Sequence, residues 1–174
     1  MKTINRMDAL AQVNRPTLGT QIPVSVFRVF RQFSALYGAN ILGDQGTRTV
    51  FVHAGRELGL DVGKQLYTDD LSKYLERVIG FVYDLNVGIL KPVDSDDPER
   101  MILQLDECVT CSGMPNIEQK ICHFEVGLVA GIVQTFVGKS VHAFETKCNA
   151  NGDHCCEVTV ALNPTQYAIK SILD

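Results

Sequence analysis

Residues 140–162, SVHAFETKCNANGDHCCEVTVAL, read as two β-rich segments joined by a turn. SVHAFETKC and CCEVTVAL carry the β-branched and aromatic residues that suit a strand. NANGDH, Asn149 to His154, supplies the Asn and Gly that positive-φ turn positions demand. The same stretch crowds Glu145, Cys148, Cys155 and Cys156 around that turn, which turn chemistry alone does not explain.

Upstream of this hairpin, EQKICHFEVGLVAGIVQTFVG places Cys122, Val126, Val129, Ile132, Val133 and Phe136 at helical spacing and stops near Gly138. Before that helix, VGILKPV and RMILQLDECVT flank the turn signal DSDDPE, a second hairpin. Asp69 or Asp70 is placed to cap a helix over LSKYLERVIGFVYDL, with a stripe of Leu71, Tyr74, Leu75, Val78, Ile79 and Val82. GTRTVFVHAGRELG mixes a strand-like start, Thr47 to Val52, with a helical end, and is read as helix. Ile22 to Tyr37 forms an amphipathic helix that begins after Pro23, with Phe27, Phe30 and Phe33 on one side and Arg28, Arg31 and Gln32 on another. The expected fold is α+β, helices packed on a small antiparallel sheet made of two hairpins. Residues 1–21 are read as an N-terminal arm and 22–174 as one domain.

A net charge of −4 without a basic cluster gives no electrostatic footprint for nucleic acid, so direct nucleic-acid binding is not expected. The longest apolar run, Val126 to Val133, is far short of the roughly 20 residues that span a bilayer. The N-terminus lacks the apolar core of a secretory signal, which points to a cytoplasmic protein. In that setting the 6 cysteines suit metal, redox chemistry or burial better than disulfides.

In this layout Cys122 opens a helix, Glu145 and Cys148 end one strand, and Cys156 starts its partner. A helix N-terminus docked on the hairpin mouth would bring these four donors together. Three thiolates and a carboxylate suit tetrahedral zinc, and a site filled by protein ligands is structural. The plainer alternative makes Cys122 a core thiol and Glu145 a solvated strand residue. Cys155, next to Cys156, should point the opposite way and is read as a core thiol. His123 and His154 adjoin the candidate ligands but are read as solvated rather than as donors.

The run CHFEVGLVAGIVQTFVGKSVHAFETKCNANGDHCCEVTV, with VHAGRELG upstream, resembles the 4-vinyl reductase domain family. That family is grouped with ligand-binding domains of phenol-responsive activators, bacteriochlorophyll-biosynthesis proteins and a Golgi tethering subunit. The resemblance implies the same α+β fold, a homodimer, and structural zinc on Cys122, Glu145, Cys148 and Cys156. It also implies a hydrophobic or aromatic small-molecule ligand, with a tetrapyrrole among the candidates. Cys108 and Cys111, a C-x2-C in ECVTCSGM, lie outside the family pattern and suit a second metal, an iron–sulfur cluster, a redox pair or ordinary thiols.

Candidate ligand contacts are Phe27, Phe51, His53, Tyr83 and Phe136, although residues at these periods also make ordinary core. No dinucleotide fingerprint, P-loop or nucleophile–base motif is legible, so the family name is taken as a pointer to ligand class rather than to chemistry. The expected function is a non-catalytic small-molecule-binding domain acting as carrier, sensor or assembly factor. The alternatives are an interaction scaffold like the Golgi-tether relative, a redox or iron–sulfur protein, or a component of a vinyl reductase.

Overall fold

The computed structural model describes residues 12–163. Helix α1 runs Val24–Leu66, α2 Leu71–Asp84 and α3 His123–Val137. The strands are β1 Ile89–Val93, β2 Arg100–Asp106, β3 His142–Lys147 and β4 Cys156–Ala161. Both expected hairpins form, and β2 pairs with β4 to join them into one antiparallel sheet of order β1-β2-β4-β3. The first eleven residues of the expected arm lie outside the described residues.

Alternation sends Leu90, Leu103, Leu105, Cys156, Val158 and Val160 to one face of the sheet. These residues are buried in one core with Tyr74, Val78 and Val82 of α2 and Val126, Ala130 and Val133 of α3. Asp70 caps α2 by accepting the Lys73 N–H at 3.1 Å, and Gly138 ends α3 in the left-handed region at φ 70°.

Two separate helices were expected over 22–37 and 46–59; instead they are the arms of α1, 24–42 and 44–66, bent at Gly43. That residue takes φ 74° and ψ 165°, a conformation open to glycine and strained for other residues. The bend sets the Arg31 guanidinium 5.5 Å from the Phe51 ring centroid. Twenty residues of straight helix would hold them about 30 Å apart. The helical end of GTRTVFVHAGRELG prevails over the strand propensity of Thr47 to Val52 because its glycines lie on α3. A β-carbon at Gly55 or Gly59 would strike the carbonyl of Phe124 or Leu128. Gly127 and Gly131 of α3 meet the carbonyls of Val52 and Arg56 in the same way, so the two backbones lie in contact. The two glycines of GLVAG thus serve close helix packing.

The first arm of α1 reverses the expected orientation of its faces. Arg28, Arg31 and Gln32 turn toward the body of the protein, while Phe30 is 74% exposed and Phe33 and Leu36 are also exposed. Arg28 donates from Nε to the Val109 carbonyl at 2.7 Å and from an Nη to the Ser112 carbonyl at 2.7 Å. These polar contacts hold the arm on the 108–112 turn, and the apolar residues opposite them remain uncovered.

Candidate metal centre and adjoining cleft

Cysteines from four places in the chain meet where α3 begins. Cys122 is the residue that caps α3, one position before the first turn expected for it. Cys156 opens β4 opposite Leu105 of β2. Cys148 follows β3 and starts a single 3-10 turn over Asn149–Asn151, closed by Gly152 at φ 88°. Asp153 fastens that turn by accepting the Cys148 N–H at 2.8 Å. Glu145 and Cys148 are three residues apart, a spacing that sends strand residues to opposite faces. The register shift between Glu145 and Lys147 inserts the extra residue that brings both to one side.

The fourth place is the C-x2-C. After β2 the chain takes a left-handed residue at Glu107, φ 52°, and turns Cys108 and Cys111 into the same cluster. Cys111 Sγ lies 3.1 Å from Cys156 Sγ and 3.5 Å from Cys122 Sγ. Cys122 Sγ lies 3.8 Å from Cys156, 3.9 Å from Cys108 and 3.9 Å from Cys148. All of these thiols are buried, none more than 3% exposed. Two sets of donors have their ligand atoms within 4.8 Å of one another: Cys108, Cys111, Cys122 and Cys156, and Cys122, Glu145, Cys148 and Cys156. A tetrahedral ion bound at about 2.3 Å separates its sulfur ligands by about 3.8 Å, so these spacings suit a metal.

Electrostatics point the same way. Hydrogen bonds from neighbouring thiols, Cys111 first, hold Cys108 and Cys148 below the ordinary thiol range. Cys122 and Cys156 are pushed up, chiefly by Cys108, and Cys111 rises for the same reason. A dry cluster of acids resists further negative charge until a cation enters. Burial, followed by Cys148, pushes Glu145 up to about 9. Its Oε2 accepts the Cys122 N–H at 3.1 Å, while Oε1 is buried with no hydrogen-bond partner. An orphaned carboxylate oxygen beside buried thiols fits a thiophilic cation. The clustered cysteines could therefore hold a metal ion.

Of the remaining candidates around the turn, Cys155 points away from the cluster as alternation requires, but it is half-buried rather than core, and burial raises its thiol. His154 is exposed. His123 turns out of the cluster into a neighbouring cleft, where burial and then Arg48 and Arg31 hold its imidazole down at about 4.

That cleft, of about 1110 Å³, lies between the two arms of α1 and the 117–123 segment. Phe51, Leu36, Ile117 and Ile121 give it apolar surface, and Arg31, Arg48 and Lys120 give it positive charge. The hydroxyl of Thr47, also on its wall, is buried without a hydrogen-bond partner. Arg31 pairs with Glu125 of α3 at 2.5 Å, and Glu125 also accepts the Thr110 hydroxyl at 2.6 Å. Burial pushes the Glu125 carboxyl up. Of the expected ligand contacts Phe51 lines this cleft, and the other four do not. Phe27 is half-buried, His53 is exposed and Tyr83 is 64% exposed on α2. Phe136 stacks on Tyr74 with ring centroids 5.2 Å apart and serves the core. Arg31, Arg48 and His123 escaped the sequence reading because their proximity depends on the bend at Gly43.

The architecture is that of an α+β domain with a thiol-rich centre at the junction of helix and hairpin. Residues 101–162 match the family model of the vinyl-4-reductase domain. The chain is 32% identical over 151 residues to MJ0150 of Methanocaldococcus jannaschii, an uncharacterised protein, covering 87% of this chain and 82% of the relative. It is 26% identical over 152 residues to the uncharacterised MJ1642 of the same organism, covering 83% of this chain and 81% of the relative. The chain belongs to the 4-vinyl reductase domain family.

Solved structures share the fold. The phenol-responsive sensory domain of the transcription activator PoxR superposes with a TM-score of 0.61 at 14% identity, covering 82% of this chain and 76% of that one. A vinyl-4-reductase family protein from Methanocaldococcus jannaschii gives 0.57 at 19% identity, covering 82% and 83%. Subunit 3 of a trafficking protein particle complex from Naegleria fowleri, covalently bound to palmitic acid, gives 0.56 at 14% identity, covering 78% and 94%. Among the described residues no helix is long and apolar enough to cross a membrane.

Proposed function

We propose that this protein is a small-molecule sensor or carrier in which a structural zinc braces the wall of a ligand cleft. The carrying observation is the junction at Cys122 and His123: one side chain belongs to the thiol centre and the next lines the cleft. Zinc on Cys122, Glu145, Cys148 and Cys156 would fix the start of α3, and with it the position of His123. When bound it supplies a rigid, four-cornered crosslink, with no open position needed for chemistry.

The cleft suits a flat, largely apolar ligand carrying acidic groups. Its volume of about 1110 Å³ exceeds the upper range of about 1,000 Å³ for drug-sized sites and far exceeds the needs of a single phenol ring. Phe51 offers an aromatic face, Arg48 and Lys120 offer charge to carboxylates, and the Thr47 hydroxyl awaits a partner. A tetrapyrrole has this combination of a flat apolar ring and peripheral carboxylates. The phenol-responsive neighbour supports ligand sensing as the role of the fold.

The test is titration of the purified protein with protoporphyrin IX and with phenol, followed by absorbance and calorimetry. Porphyrin binding that weakens at least tenfold in Arg48→Glu is expected; no binding of either compound would reject the ligand reading. The zinc reading is tested by variants. Cys148→Ser should lower metal occupancy and thermal stability, because metal-binding free energy of on the order of 10 kcal/mol is coupled to folding. Cys155→Ser should retain both, and full occupancy in Cys148→Ser would reject the ligand assignment.

A further inference from the structure

Cys108 and Cys111 extend the centre beyond a single four-ligand site. We infer that the centre holds two zinc ions, bridged by the thiolates of Cys122 and Cys156. Cys108 and Cys111 complete one ion, and Glu145 and Cys148 complete the other.

The argument starts from donor number. The cluster offers six protein donors: Cys108, Cys111, Cys122, Cys148, Cys156 and Glu145. One tetrahedral ion takes four and strands two in a dry interior, whichever set it chooses. The set with Glu145 leaves Cys108 and Cys111 without a ligand role, and the all-thiol set leaves Glu145 Oε1 orphaned. Two ions need eight bonds, which six donors supply when two of them bridge. The two groups that geometry defines share the same pair, Cys122 and Cys156. Those sulfurs lie 3.8 Å apart, the separation of about 3.8 Å expected for one edge common to two tetrahedra.

Space and charge agree with this arrangement. A cavity of about 30 Å³ is bordered by Cys108, Cys122, Cys156 and Glu145, donors from both sets. It is larger than the roughly 10–15 Å³ needed by one water-sized body. Five thiolates and a carboxylate carry six negative charges, of which two divalent ions neutralise four and one only two. The positive N-terminal end of α3 at Cys122 offsets part of the remainder. Arg28 holds the Cys108–Ser112 turn through its carbonyls, so the second pair of ligands is anchored independently of the hairpin. Two ions would move Cys111 and Cys148, 3.9 Å apart here, away from each other. A four-iron cluster needs its thiolates spread around a cage of iron and sulfide, and thiols in mutual contact leave no room for it.

This inference rests on the metal reading above, and the experiment separates the two. The intact protein, purified reduced and without chelator, is weighed by native and denaturing mass spectrometry and then loaded with cadmium-113 for NMR. Two zinc ions per chain, and two cadmium signals split by scalar coupling through shared sulfur, are expected. Cys108→Ser should fall to one ion per chain while keeping the folded circular-dichroism spectrum. One zinc in both the wild type and Cys108→Ser overturns the paired site and leaves the single structural zinc standing. Two uncoupled cadmium signals overturn the bridge, iron overturns zinc, and no metal overturns both readings. Because the coupling is read on the unmutated chain, a Cys108→Ser variant that fails to fold leaves the test decisive.

Discussion

Tyr74 shows how one side chain ties packing to pH. Its ring is 1% exposed and stacks on Phe136, and its hydroxyl donates to the Ile132 carbonyl at 2.9 Å, joining α2 to α3. Burial, then Tyr67, pushes the phenol from 10.0 up to about 12. In the unfolded chain the phenol ionises near its ordinary value, so between pH 10 and 12 the unfolded state alone gains by losing the proton. Stability should therefore be unaffected by this group below pH 10 and fall by about 2 kcal/mol as pH rises toward 12. Denaturant midpoints across that window check it. Tyr74→Phe should flatten this part of the slope while costing about 1 kcal/mol at neutral pH for the lost hydrogen bond. Tyr74 was legible as a helix-stripe residue, but its partner at Ile132, 58 positions away, was not.

At the scale of elements, the contact of α1 with α3 depends on reciprocal glycines. A methyl at Gly59 would meet the Leu128 carbonyl, and one at Gly127 the Val52 carbonyl, backbone atoms that cannot rotate aside. Gly59→Ala and Gly127→Ala should each cost about 3 kcal/mol or more by forcing the helices apart. Gly80→Ala, whose added carbon meets nothing within 4 Å, should be neutral or mildly stabilising. Thermal melts of the three variants provide the comparison. The spacing of Gly127 and Gly131 announced close helix packing, but it could not name the second arm of α1 as the partner. The β3 irregularity was hidden in the same way: Glu145-x-x-Cys148 looks like an ordinary strand end until pairing with β4 reveals the inserted residue.

For the whole molecule, the uncovered face of α1 is the feature with the largest consequence. Val29, Phe30, Phe33, Leu36, Tyr37 and Ile41 are all exposed on the first arm, a concentration of apolar surface that marks an interaction site. We propose that a second copy of the chain covers it, in keeping with the homodimer the sequence resemblance implied. Light scattering should give a dimer mass for the wild type and a monomer for the Phe30→Glu/Phe33→Glu double variant. A wild-type monomer would reject the proposal and leave this face to another protein, as in a scaffold. The cleft is also a property of the whole molecule, since its walls come from two arms of one helix and from a segment more than 60 residues later.

By itself, the sequence determined the helical and strand segments of the sheet-and-helix plan, because those follow from periodicities of 3.6 and 2 and from caps and turns within a few residues. It also brought Cys122, Glu145, Cys148 and Cys156 to one junction, since a helix start and a hairpin mouth are local features. Tertiary structure alone decided which face of the first helix turns inward. Amphipathicity shows that a helix has two sides, but not that Arg28 and Arg31 will find carbonyl and carboxylate partners 81 and 94 residues away. It alone also drew Cys108 and Cys111 into the thiol centre. Their approach depends on β2 lying beside β4, and strand order is a property of the packed sheet that no single stretch of chain carries.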